Sequence, residues 1–342
     1  FSITLSFLNS LQVQLLSADS RLQWFNPTKL ADMDSSVFGS IAPVQFDTFN
    51  AEQFAAFDVS ALSTMVQAQF DKLAISTNNL FSNLTASQLQ AIPAPLFASG
   101  AVTAAHFSRL DTKIPELTAA QIGNIAPATD ALASLTTADM LNLSDLQVAS
   151  LTSTFVVELS DTQRNDGFSS AQIPFISVTA INALTNTDIS NLDANFTAAL
   201  DVSQVSGITG QAKIQAINVQ DLDSIETELT NAQLSELSTT QIVNISHPSQ
   251  VSSLSSVSKL QHLTTTQLAA ILPDQFDDIL AAQFDTFTPT QMAAFSDAVL
   301  ANMTDSQFDK LALTTANLLS SLDVYAINAI PDTRFLRTTS DH

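Results

Sequence analysis

The chain repeats itself at long range: residues 45 to 93 return without a gap at 283 to 331, an offset of 238. Gln45-Phe46-Asp47-Thr48-Phe49 is matched by Gln283-Phe284-Asp285-Thr286-Phe287, and the run from Gln69 to Ala74 by the run from Gln307 to Ala312. The two stretches share 25 identities in 49 positions, and the register continues upstream to give 37 in 82 over residues 12 to 93. A catalytic domain carries its chemistry once, whereas a chain that restarts its own sequence is built by stacking copies of a part. The expected class is a structural or adhesive array.

Inside the long repeat lies a short one. Units beginning at Leu84, Leu117, Leu135, Leu184, Leu229 and Leu263 share an apolar residue, Ser or Thr, two small residues, Gln or Asp, and two further apolar positions. Their starts are separated by 33, 18, 49, 45 and 34 residues, mostly near multiples of 17, and weaker half-steps place Gln267, Gln275, Gln283 and Gln291 eight apart. Fourteen units of 17 make 238, so the two periods agree.

Each unit reads as a helix start. Thr85 is the expected N-cap, accepting from the Gln88 N–H while the Gln88 side chain reaches back to the Thr85 N–H, a capping box; Leu84 and Leu89 form the hydrophobic staple around it. Pro93 ends the helix after about two turns. Helices that short are marginal alone, so they must stack on neighbouring units. On this reading the repeated Gln starts a helix and has no other role. The expected fold is all-α: a solenoid (superhelix) of short capped helices, about 17 residues per two-helix turn, with a short N-terminal β-strand.

The strand is read from the first residues, where Phe1, Ile3, Leu5 and Phe7 alternate with Ser2, Thr4 and Ser6. Its expected partner is Phe155-Val156-Val157, the stretch from Ile214 to Val219, or a neighbouring subunit. The expected organisation is a strand-like segment at 1–11, solenoid repeats over 12–199, irregular or degenerate repeats over 200–228 where the Thr-x-x-Gln rhythm is lost, repeats again over 229–331 with 250–331 duplicating 12–93, and a tail at 332–342. Without an initiating methionine, the chain is expected to be processed or cut from a longer polypeptide.

Composition narrows the function. Eleven Lys and Arg against 33 Asp and Glu give a formal net charge of −22, which repels nucleic acid and anionic membrane surfaces. Hydrophobic residues make up 45%, enough for a core, yet no run of apolar residues is long enough to span a bilayer. There is no Cys, and His106, His247, His262 and His342 are dispersed, which argues against a zinc or redox-metal centre. Neither a phosphate-binding glycine loop nor a nucleophile elbow is present. No cofactor and no catalytic residue is expected.

Two sets of candidates remain. Asp221, Asp223, Glu226 and Glu228 form the densest acidic group and supply oxygen ligands suited to Ca²⁺, without the spacing and glycine turn of an EF-hand; Asp274, Asp277 and Asp278 are a weaker echo. The Asn-x-Ser/Thr sequons begin at Asn83, Asn142, Asn195, Asn244 and Asn302. Their number is what chance supplies in so Ser/Thr-rich a chain, but in each the hydroxyl residue falls at an expected helix cap. That sets the Asn at a corner of the coil, accessible to a glycan.

The L-T-x-x-Q-I/L-x-x-I/L units resemble the superhelical repeats of the mesothelin, stereocilin and otoancorin family, and also the L-T-x-A-Q-I arrays of large microbial surface adhesins. The first resemblance implies a glycosylated extracellular solenoid serving adhesion or gel attachment, the second a stalk or surface fibre; neither supplies catalytic residues. The absence of Cys and the regular half-period depart from the first family. The expected function is an extracellular rod, filament subunit or surface fibre that self-associates as a homopolymer or tandem array. The alternative is a binding module gripping a glycan or protein on the concave face.

Overall fold

A computed structural model describes residues 5–98, 102–125, 131–245, 251, 253–255, 258–314 and 317–337. Every regular element among the described residues is a short α- or 3₁₀-helix. The chain divides into two compact units, Phe1–Leu184 and Thr185–His342.

The helices start as their sequences dictate. Thr85 caps Ala86–Ala91, Thr118 caps Ala119–Asn124, Thr230 caps Asn231–Glu236 and Thr264 caps Thr265–Leu268, each with the reciprocal Gln contact. They stop where an apolar residue turns extended: Ile92 adopts φ −60°, ψ 125°, which ends the helix and points its own side chain inward. Leu84, Leu89 and Ile92 are all within 1% of full burial, so the staple and the stop feed one core. At about 25 cal/mol per Å² of apolar surface, that burial and not helix propensity holds such short elements in place.

Within each unit, helices stack on those that begin about 24 to 37 residues away. Gln67–Ile75 packs between the 3₁₀ helix Pro43–Asp47 and the helix Ala104–Leu110, and Ala119–Asn124 packs between Ala94–Phe97 and Asp145–Ala149. In the second unit Asp297–Leu300 packs between Pro273–Phe276 and Val324–Ala329. The stacking step is thus longer than one 17-residue unit and mostly shorter than two.

The glutamine does more than start a helix. Its Oε1 accepts the N-cap N–H, as expected, while its Nε2 donates across to carbonyls at the end of a helix in the preceding layer. Gln121 donates to Leu89 and Ile92 O at 2.9 and 2.8 Å, Gln69 to Phe38 and Ile41 O at 3.0 and 2.9 Å, and Gln307 to Phe276 and Ile279 O at 2.8 and 2.7 Å. Each pair lies at a helix C-terminus: Leu89, Phe38 and Phe276 O also accept the N–H of Ile92, Ile41 and Ile279, whose own carbonyls lie past the last helical turn. One side chain therefore caps two helices, and its span ranges from 24 residues at Gln241 to 33 at Gln88. Asp139 and Asp188 keep the box but carry no amide to donate, so their layers are joined without this bond.

The 238-residue echo survives to single contacts. Phe38, Phe46, Phe49 and Phe57 pack edge to face, and so do their counterparts Phe276, Phe284, Phe287 and Phe295. Ser17 Oγ accepts the Ala42 N–H as Ser255 Oγ accepts that of Leu280. Lys72 pairs with Asp47 at 2.9 Å and Lys310 with Asp285 at 2.6 Å. Ser20 and Ser258 even share a left-handed backbone, at φ 55° and 56°.

Two expectations are corrected. No N-terminal strand forms among the described residues: Leu5–Phe7 is a 3₁₀ turn and Ser10–Ala18 an α-helix, while residues 1–4 lie outside the described set. Side chains two apart share one face only in extended chain, and here Leu5 is fully buried while Phe7 is 85% exposed. The proposed partners are helical too, within Ser153–Glu158 and Gln211–Ala216. The stretch 200–228 is not irregular throughout. Asp201 replaces Thr in a full capping box with Gln204 and starts Val202–Gly207; only the starts at Gly210, with φ 100°, and Asp221 lack a side-chain cap. Of the tail, Asp332–Arg337 is helical and 338–342 lie outside the described residues.

Candidate functional site

The acidic group sits around the short helix Leu222–Ile225, which packs on Ala194–Ala198. Asp221 and Glu226 flank it and are buried, at 5% and 6% exposure. Burial raises the Asp221 pKa, helped by the charge of Asp193. Burial also pushes Glu226 up to about 7, opposed by a hydrogen bond from its own backbone N–H and reinforced by Asp223 and Glu228. Glu228 is raised by burial and by Asp201, and the ammonium of Lys259 pulls it back. One carboxylate oxygen of Glu226 and one of Glu228 are buried without a hydrogen-bond partner.

Lys259 is the cation of this neighbourhood, and it points at backbone. Its Nζ donates to Thr227 O and Leu229 O, so it closes the carbonyls of one layer from the next as a glutamine does elsewhere. Burial lowers its pKa and Glu228 raises it. Among the described residues no three Asp, Glu or His side chains converge as a metal-ligand set, so Asp221, Asp223, Glu226 and Glu228 are neighbours in sequence that do not assemble around a common point. Burial also lifts Asp278, with Asp277 and Asp274 adding to it.

The sequons are placed as expected in part. Asn83, Asn142 and Asn302 are exposed, and Thr85, Ser144 and Thr304 beside them are N-caps. Asn244 is exposed at the end of Thr239–Asn244, and its Ser246 lies outside the described residues. Asn195 departs from the pattern. It lies inside the helix Ala194–Ala198, which Asp193 caps, and Thr197 is only 4% exposed because it turns into the core.

Reading the sequence missed three groups: the donating amide of each Gln, Lys259, and His106. His106 holds the Gln position of a Thr-x-x-His box, where its ring touches both Thr103 and the backbone of Phe70. For His106 and the glutamines the signal available was a second polar atom on the side chain at the third helical position, beyond the one a capping box uses; Lys259 stands at a helix N-cap and carried no such signal. No helix of the described residues is long and apolar enough to cross a membrane. No protein-family model matches the chain, and no curated protein matches it.

Proposed function

We propose that this chain is a structural repeat protein, a rod-like building block of an extracellular filament, surface fibre or adhesive matrix that associates with further copies of itself and carries glycans at its corners. The observation behind this reading is the duplication. Roughly half the residues of the repeated block have changed, yet Ser17–Ala42 and Ser255–Leu280, Lys72–Asp47 and Lys310–Asp285, and both phenylalanine clusters hold the same contacts. What both copies retain is the machinery of stacking, which is what an extensible array requires. The polar residues picked out by the repeat are spent on caps and on bonds between layers, which supports a role in adhesion or span. The resemblance to mesothelin-like and adhesin repeats points the same way.

Sedimentation velocity over a wide concentration range, with intact mass for glycans, tests it. Growth of species larger than monomer as concentration rises is expected. A chain that stays monomeric at high concentration and binds a soluble glycan or protein would instead be the binding module, for which Trp24, 74% exposed, offers an accessible indole.

A further inference from the structure

We infer that His106 is an acid-released latch between the helices Gln67–Ile75 and Ala104–Leu110. At most other joints the bond between layers is made by a glutamine amide, which does not titrate. Here it is an imidazole, 2% exposed, stacked on the Phe70 ring at 4.7 Å and 14°. Its Nδ1 accepts the Thr103 N–H at 3.3 Å, which fixes the ring proton on Nε2, and Nε2–H donates to Phe70 O at 3.2 Å. Only the neutral ring makes both bonds.

A proton taken from solvent goes onto Nδ1, where it meets the Thr103 N–H donor to donor. Thr103 Oγ1, 3.1 Å from Nδ1, is the acceptor on offer, but turning to it strands the backbone N–H and leaves a cation in the core. The surrounding charges do little to prevent this. Helix 67–75 brings Asp71 and Lys72, the histidine's own helix Arg109, the following 3₁₀ turn Asp111, Lys113 and Glu116, and the packed turn Ala131–Ser134 brings none. Lys72 is paired with Asp47, Arg109 donates to Ser76 O, and Lys113 donates to Leu84 O. Burial lowers the pKa, outweighing the Phe70 carbonyl and the charge of Asp71, which both favour the charged ring. A histidine whose folded pKa lies below its unfolded value contributes stability that is full above the unfolded pKa and is lost as pH falls through the folded one. The latch therefore holds at neutral pH and lets go in acid, and it opens one layer of the first unit without a global change.

Amide hydrogen exchange over residues 103–110, corrected for intrinsic pH dependence and compared between about pH 7.5 and about pH 5, tests the latch in the full chain and in His106→Gln. Protection of Phe107 and Leu110 is expected to fall about tenfold or more in the parent, the size of a lost hydrogen-bond pair, and less than about twofold in the variant. Equal loss in both proteins, or none in the parent, overturns the inference. Should the variant not fold, NMR titration of the His106 ring in the parent decides. A midpoint below that of an exposed histidine, coincident with movement of the Thr103 and Phe107 amide signals, supports the latch, and a midpoint at or above it overturns it.

Discussion

Gln69 shows what one residue carries in this fold. It is fully buried, its Oε1 takes the Val66 N–H at 3.1 Å, and its Nε2 serves two carbonyls of the preceding layer. Gln69→Leu keeps the volume and strands the Val66 N–H and the Ile41 carbonyl, while Phe38 O keeps the Ile41 N–H; at about 1–3 kcal/mol each, urea denaturation should show a loss of about 2 kcal/mol or more. A capping change such as Thr85→Ala, at an exposed site, should cost about 1 kcal/mol by the same measurement. Gly167 is tighter still. A Cβ there would sit 2.8 Å from Met140 Sδ and nearer to the Gln163 carbonyl, so Gly167→Ala should destabilise by about 1–3 kcal/mol in a thermal melt. If the chain passes a glycosylating compartment, peptide mapping should find glycan at Asn83 and not at Asn195, whose buried Thr197 cannot be presented in an extended acceptor conformation.

At the scale of the element, the starts of helices were legible and their joints were not. Thr85, Gln88 and Leu89 lie within five residues of one another, so their contacts follow from local geometry. The acceptors of Gln88 Nε2, Ala55 O and Phe57 O, lie 33 and 31 residues earlier and are backbone groups that any residue supplies, so nothing in the sequence marks them. The N-terminal alternation failed over Leu5–Phe7, where a 3₁₀ turn buries Leu5 and exposes Phe7; Phe1 and Ile3 lie outside the described residues. The acidic group was visible as charge, but the burial of Glu226 was not. Its folded pKa of about 7 exceeds the unfolded value of 4.5, so its stabilising contribution is full below the unfolded pKa and is lost as pH rises through the folded one. Glu226→Gln should flatten that part of the pH–stability curve, by on the order of 2 kcal/mol in denaturant titrations between about pH 4.5 and pH 8. His106 and Glu226 thus respond to acid in opposite directions, one in each unit of the chain.

For the whole molecule, layered contact means that each helix depends on its neighbours and little on anything further away. Stability is then close to a sum over layers, and calorimetry should return a van't Hoff enthalpy smaller than the measured one, because layers melt in groups. The joints are also uncharged for the most part. Added salt should alter self-association through the net charge of −22 while leaving the melting temperature nearly fixed, a separation that light scattering and thermal melts at several ionic strengths can read. The glutamine bonds described above have a mechanical corollary. They are short-range and point along the stack, so a chain held at both ends would yield by shedding one layer after another. Each release of roughly 30 residues would pay out about 100 Å of slack, so extension under load is expected to proceed in steps.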